Sequence, residues 1–252
     1  MKKAIILILM ILSASIISQE DKKINPNFYN TWVESNYYEK IMSCKTPYEL
    51  NSVENSIIEL YFFESDNRIL FASFYEGIKR NFTIENSDTI KTLDLNGKES
   101  TIYLISDNNK TQLVVENREK TLYYIALEKK YYCSSGVQNL LRDMFLAGEY
   151  IVDSDSTKKV TFTPGGNVSG ISDFNKYQIP IKGIPLPTKY DIVILQKVNK
   201  RVENSILLHW EIIKDEIILY NISKSFDDDG NYLEPIILDK YLTLKKLNYK
   251  EL

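Results

Sequence analysis

One residue dominates any search for chemistry in this chain: its single histidine, His209, inside "SILLHWEII". If that run is a strand, side chains alternate between its faces. Leu207, His209, Glu211 and Ile213 then share one face, and Ile206, Leu208, Trp210 and Ile212 share the other. His209 and Glu211 could then act beside a serine from a neighbouring strand, since a serine nucleophile needs a base in hydrogen-bond reach and a third group to orient it. The serine-rich stretches are "SSG" at 134–136 and "NVSG" at 167–170, and neither is the G-x-S-x-G of a strand-to-helix elbow. The plainer reading is a histidine on the solvent or rim side of a strand, and no catalytic residue is assigned.

Metal and phosphate chemistry are equally short of ligands. One histidine and two cysteines cannot build a clustered His/Cys zinc site in a single chain. "FDDDGNYLEP" at 226–235 sets Asp227, Asp229 and Asn231 at alternate positions, as a hard cation would require. Counted from Asp227, however, the EF-hand glycine and glutamate positions hold Tyr232 and Leu238, so a solvated turn is the better reading and no metal site is assigned. "PGGNVSG" lacks the lysine and following Ser/Thr of a nucleotide-binding loop. Carboxylates are plentiful, but nothing selects an acid and base pair. No cofactor is implied.

The elements that would position such residues are mostly strands. From Ser56, "SIIELYFF", "ILFASFYE", "KRNFTI", "DTIKTLDL", "STIYLIS", "TQLVVE" and "TLYYIALEK" are strand-sized and separated by turn signals. Connections this short fit antiparallel neighbours, since a parallel crossover needs a dozen or more residues. Upstream, Phe28, Trp32, Tyr37, Tyr38 and Ile41 are spaced for short helical turns, ended by Pro47. Residues 134–147 put Val137, Leu140, Leu141, Met144 and Phe145 on one helical stripe, the only convincing helix. A second series of strands follows, from "GEYIVDS" to "YLTLKKL", with Gly165, Gly166 and Asn167 suited to a tight reversal. The fold class is therefore all-β, an antiparallel meander.

The 252 residues are 44% hydrophobic with a net charge of −3, enough material for one or two cores and no field to attract nucleic acid. "MKKAIILILMILSASIISQE" has the basic, apolar and small-residue order of a secretory signal, ending near Ser18. It predicts a mature chain in the periplasm or outside the cell. No later apolar run reaches membrane length. In an oxidising compartment Cys44 and Cys133 could be bridged; two separately buried thiols fit the sequence equally well.

At "FLAGEYIVDSDSTKKVTFTPGGNVSGI", Gly148 and Tyr150 open a strand, and Phe162 and Gly166 follow in the next hairpin. This arrangement resembles the lipocalin-like (calycin-like) β-barrel proteins exported by bacteria, although true lipocalins usually carry tryptophan where this chain has Tyr150. A weaker echo lies at Trp32. The resemblance implies two small lipocalin-like barrel domains joined by a short helix: residues 25–133 with a helical lead-in, and residues 134–252 with a leading helix. One larger mixed barrel or sandwich is the alternative.

With 18 Tyr, 10 Phe and 2 Trp, the chain has the aromatic content of an apolar pocket. Tyrosine and phenylalanine are also simply favoured in strands. The expected function is non-enzymatic binding of a small apolar or amphiphilic molecule, with Tyr150, Phe162, Trp210 and Tyr220 as candidate lining residues. The alternative is an envelope structural or protein-interaction module, its partner another envelope protein.

Overall fold

A computed structural model describes residues 23–52, 58–73, 77–107, 110–180, 190–199, 202–223 and 235–247 of the chain. The leader at 1–18 and the "FDDDGNY" stretch lie outside them. Eight strands make the first sheet: β1 (Thr31–Glu34), β2 (Glu59–Phe63), β3 (Arg68–Ala72), β4 (Gly77–Asn86), β5 (Thr89–Leu93), β6 (Glu99–Asp107), β7 (Lys110–Glu116) and β8 (Thr121–Ala126). Each pairs antiparallel with its neighbour, and β1 returns to β8 through Trp32 opposite Ala126 and Glu34 opposite Tyr124, closing a barrel.

Alternation explains what fills that barrel. Inward residues include Trp32, Leu60, Phe71, Ile102, Leu113 and Tyr124, all with no exposed surface, so no water-sized void touches them. Phe62 meets Phe28 and Phe82 edge-on, with ring centroids 5.2 and 5.9 Å apart. The Trp32 indole donates to Phe28 O (3.1 Å), which gives its one polar atom a partner and locks the N-terminal turn across the barrel end. An eight-stranded barrel is just wide enough for its own side chains to fill it, and here they do.

The second sheet contains β9 (Gly148–Val152), β10 (Asp155–Phe162), β11 (Val168–Ser169), β12 (Lys176–Gln178), β13 (Ile192–Val198), β14 (Val202–Ile213), β15 (Glu216–Ile222) and β16 (Ile237–Lys246), in the order β11-β10-β9-β16-β15-β14-β13-β12. This corrects the expectation of two barrels: the second sheet is open. Its edge strands have two and three residues, and meet at one isolated bridge, Asn167 with Lys176, instead of a ladder. The closed barrel lies in the half that carries Trp32, while Gly148, Tyr150, Phe162 and Gly166, which carried most of the resemblance, belong to the open sheet.

Two helices stand between these layers. The first, α1 (Ser35–Ser43), follows β1 directly, with the Glu34 carboxylate accepting from Tyr37 N (2.8 Å) as its cap. The second, α2 (Gly136–Phe145), has its first two amides held by a side chain from the barrel: Glu59 of β2 accepts from Gly136 N (3.2 Å) and Val137 N (3.1 Å). Gly136 has no room for a side chain, since an added Cβ would lie 2.6 Å from Thr31 Cγ2. One apolar cluster runs from the outer barrel wall (Val33, Leu127) through α1 (Tyr37, Ile41) and α2 (Leu141, Phe145) to the inner face of the open sheet (Val193, Leu208, Trp210, Leu219).

Candidate functional site

At one end of the barrel, β4 to β7 carry two neighbouring cross-strand rows. In one, Phe82, Thr92 and Ser100 lie side by side; in the next, Thr83, Lys91, Thr101 and Glu116 do. Together with Asn81, Leu93, Glu99, Asn117 and Arg118 they line an open cleft of about 680 Å³. The first row is buried, and the second faces outward in strand phase.

The turns around the cleft are stiffly built. Asp94 Oδ1 accepts from the amides of Asn96 and Lys98 (both 2.9 Å), closing the β5–β6 turn, with Gly97 at φ +75°. Asn117 closes the β7–β8 turn by accepting from Glu119 N (2.9 Å) and Lys120 N (3.0 Å), and its amide reaches Asp94 Oδ2 (3.3 Å). Arg80 adds bonds to the carbonyls of Asp94 (3.3 Å) and Leu95 (3.2 Å). Side-chain bonding of this kind fixes turns that would otherwise be mobile.

Inside this frame one group is unsatisfied. Thr92 Oγ1 donates to Asn81 O (2.8 Å), but the hydroxyl of Ser100, beside it on the same inward face, has no hydrogen-bond partner among the described residues. Ser100 is 3% exposed, and a buried hydroxyl without a partner carries a desolvation cost. Exposed charges of both signs flank the cleft: Lys91, Arg118, Glu99 and Glu116. Lys91 is paired with Glu85 (2.5 Å), whose carboxylate holds the ammonium above its ordinary range. Glu116 accepts a long bond from Tyr103 (3.5 Å).

The residues singled out from the sequence lie elsewhere, on the open sheet. Tyr150, Phe162 and Trp210 are each about 2% exposed and belong to its packed face. Tyr150 and Phe162 meet edge-on at 5.9 Å, and Phe162 meets Tyr177 at 5.0 Å. Tyr150 donates its hydroxyl to Leu146 O (2.9 Å), while Trp210 packs against Phe145 of α2 at 6.1 Å. Tyr220 is on the opposite face, its ring stacked on His209 at 5.7 Å.

His209 is not solvent-facing, being 6% exposed between the rings of Tyr190 and Tyr220. Its Nδ1 is 3.0 Å from Asp191 O and its Nε2 is 3.3 Å from Glu211 Oε1; Glu211 also accepts from Tyr220 (3.2 Å). His209 and Glu211 share a face, as strand alternation allowed, and among the described residues no serine hydroxyl is within hydrogen-bond distance of His209. Asp191 accepts from Tyr48 N (2.8 Å), and burial raises its carboxyl above the usual range.

Cys44 and Cys133 are free thiols. Cys44 Sγ contacts Ile41 O at 3.0 Å, and Cys133 Sγ accepts from Asn139 Nδ2 at 3.2 Å. Among the described residues no three His, Cys, Asp or Glu side chains are grouped to hold a metal ion, and no helix is long and apolar enough to cross a membrane. Sequence reasoning missed the cleft because its lining combines ordinary inward and outward positions of four strands; the available signal was the alternation within "NFTI", "IKTL" and "EST".

The molecule is thus an antiparallel eight-stranded closed barrel with buried aromatic and apolar clusters, packed through two helices onto an open antiparallel sheet. No protein-family model matches the chain, and no curated protein matches it in sequence.

Proposed function

We propose that the protein is an exported, non-enzymatic binding protein that holds a small amphiphilic molecule in the cleft at the end of the barrel. The observation that carries this reading is the orphan Ser100 hydroxyl at the inner side of a cleft of about 680 Å³. Ligand pockets commonly measure about 300–1,000 Å³ and combine apolar surface with a few fixed polar groups. Phe82 and Leu93 supply apolar contact, Ser100 offers a hydrogen bond not used within the described fold, and the flanking charges orient a polar end. A clasped frame of turns lowers the ordering cost of binding. Export rests on the basic and apolar leader "MKKAIILILMILSAS".

Native mass spectrometry of the mature chain purified from its own cells, beside a denatured control, tests the proposal. The expected result is an excess mass released on denaturation, with occupancy reduced in Ser100→Ala and Arg118→Ala. A protein that carries no guest, and takes up neither fatty acids nor apolar dyes, overturns it. A second reading, an envelope protein-interaction module, is favoured by Ile212 and Ile213 at the tip of the β14–β15 hairpin, which are 47% and 49% exposed. Recovery of one defined polypeptide with the chain, lost when both are changed to threonine, would select that reading.

A further inference from the structure

Arg142, in the last turn of α2, is a half-buried arginine without a counter-charge among the described residues. Its guanidinium lies over the ring of Tyr177, 5.7 Å from the centroid, and Nη1 donates to Asn139 Oδ1 (3.1 Å). Nε is buried with no hydrogen-bond partner, and no carboxylate among the described residues pairs with the side chain. The adjacent Asp143 is engaged by Lys130 (3.0 Å) and the Tyr131 hydroxyl. Tyr177 offers a neutral phenol, since its hydroxyl donates to Thr163 O (2.7 Å).

Guanidinium keeps its proton at any physiological pH, so burial cannot be relieved by neutralisation. Burial does pull this group below its ordinary range. The face of Tyr177 and the carbonyl end of α2 supply part of the missing negative potential. They leave both Nε, which is fully buried, and Nη2 without an acceptor among the described residues.

The loop "PGGNVSG" makes room for this arrangement. At Gly166, with φ +78°, an added Cβ would lie 2.9 Å from Arg142 Cζ, so a side chain would press on the guanidinium. Cys133, Asn139 and Arg142 form a chain of contacts on the other side, since Asn139 donates to the Cys133 sulfur while accepting from Arg142. The side chain is half-buried, so the approach from solvent is to Nη2 and not to the buried Nε.

We propose that Arg142, stacked on Tyr177 and resting against Gly166, anchors a second binding site, distinct from the barrel cleft, for the oxyanion of a small carboxylate or phosphate compound. Its Nη2, which has no acceptor among the described residues, receives an oxygen of the anion, and Asn139 holds the guanidinium in plane.

The test is a titration of the full mature chain, labelled with ¹⁵N-arginine, with sodium phosphate, sodium acetate or sodium chloride at matched ionic strength and pH. Five Nε–H resonances are expected from Arg68, Arg80, Arg118, Arg142 and Arg201. The Arg142 signal is identified by its loss in Arg142→Gln or, if that variant does not fold, by elimination with lysine variants of the other four. The expected result is a saturating shift of the Arg142 signal with phosphate, acetate or both, and none with chloride. The anion that saturates at the lower concentration distinguishes phosphate from carboxylate ligands. In a folded Arg142→Gln protein the affinity measured by calorimetry falls about tenfold or more, as for loss of a charged hydrogen-bond donor. An Arg142 resonance that moves no more than that of exposed Arg68, or moves equally with chloride, overturns the proposal.

Discussion

Replacing Glu59 with glutamine should change how stability depends on pH. Glu59 is 4% exposed, and among the described residues its carboxylate accepts from the amides of Gly136 and Val137 at the start of α2. Burial pushes its carboxyl from 4.5 up to about 7, and the two amide bonds oppose that rise without cancelling it. The folded protein therefore holds a proton that the unfolded chain has already released between those values. The resulting stabilisation is fully present below about pH 4.5 and is lost as pH rises through about 7. At 1.36 kcal/mol per pH unit, the loss between pH 5 and pH 8 comes to about 2–3 kcal/mol. Glutamine has the same shape and no titration. Urea unfolding of both proteins at pH 5 and pH 8 should show the native protein losing about 2–3 kcal/mol relative to the variant. The comparison cancels contributions shared by the two, including that of Asp191, which is raised in the same sense. Parallel pH dependences for the two proteins would refute the reasoning and mean that the ionised carboxylate is solvated in solution.

Other residues give sharper local tests. Ser100→Ala removes a hydroxyl with no partner among the described residues, so unfolding should show unchanged or slightly higher stability, while occupancy of the cleft falls by about five- to tenfold, the worth of one hydrogen bond. Gly170→Ala should cost more than about 2 kcal/mol in denaturant melts, because φ is +85° and the new Cβ would meet Lys159 O at 2.0 Å. Gly97→Ala, at φ +75° with nothing within 4 Å, should cost only about 1–2 kcal/mol, which separates backbone strain from collision. Tyr150→Phe leaves the Leu146 carbonyl without its donor and should lower stability by about 1–2 kcal/mol with no change in guest occupancy.

The strands were readable wherever side chains alternate between core and solvent. "TIKTL", with Ile90 and Thr92 buried and Lys91 and Leu93 exposed, shows the pattern that identifies β5. Helix α2 was equally visible from Val137, Leu140, Leu141 and Phe145; Met144, placed on the same stripe, is 37% exposed. By contrast, β1 was hidden inside a stretch that suggested helical turns. All four of its residues are buried, one face against the barrel interior and the other against the layer of α1, so it has no alternation to detect. Ser35–Ser43 is a full second helix, though only α2 was convincing from its periodicity. Closure was illegible because it depends on pairing distance: β11 and β12 read as strand material, but two and three residues cannot form a continuous ladder. Trp210 and Tyr220 sit on opposite faces, which strand phase alone did not reveal because the register between β14 and β15 sets it: Trp210 pairs with Leu219 and His209 with Tyr220.

The pairing of β9 with β16, which sets Tyr150 opposite Lys246 and Val152 opposite Leu244, also fixes a schedule for assembly. During synthesis at about 5–20 residues per second, roughly 5–20 seconds separate the appearance of these partners. Throughout that interval one side of β9 presents unpaired amides and carbonyls next to an incomplete apolar layer, the situation in which nascent chains join the wrong neighbour. The barrel, whose ends meet at residue 126, can close much earlier. The late half is therefore the stage at which a holding chaperone would matter most, and a chain cut short before residue 237 would lose the central strand β16 that joins β9 to β15.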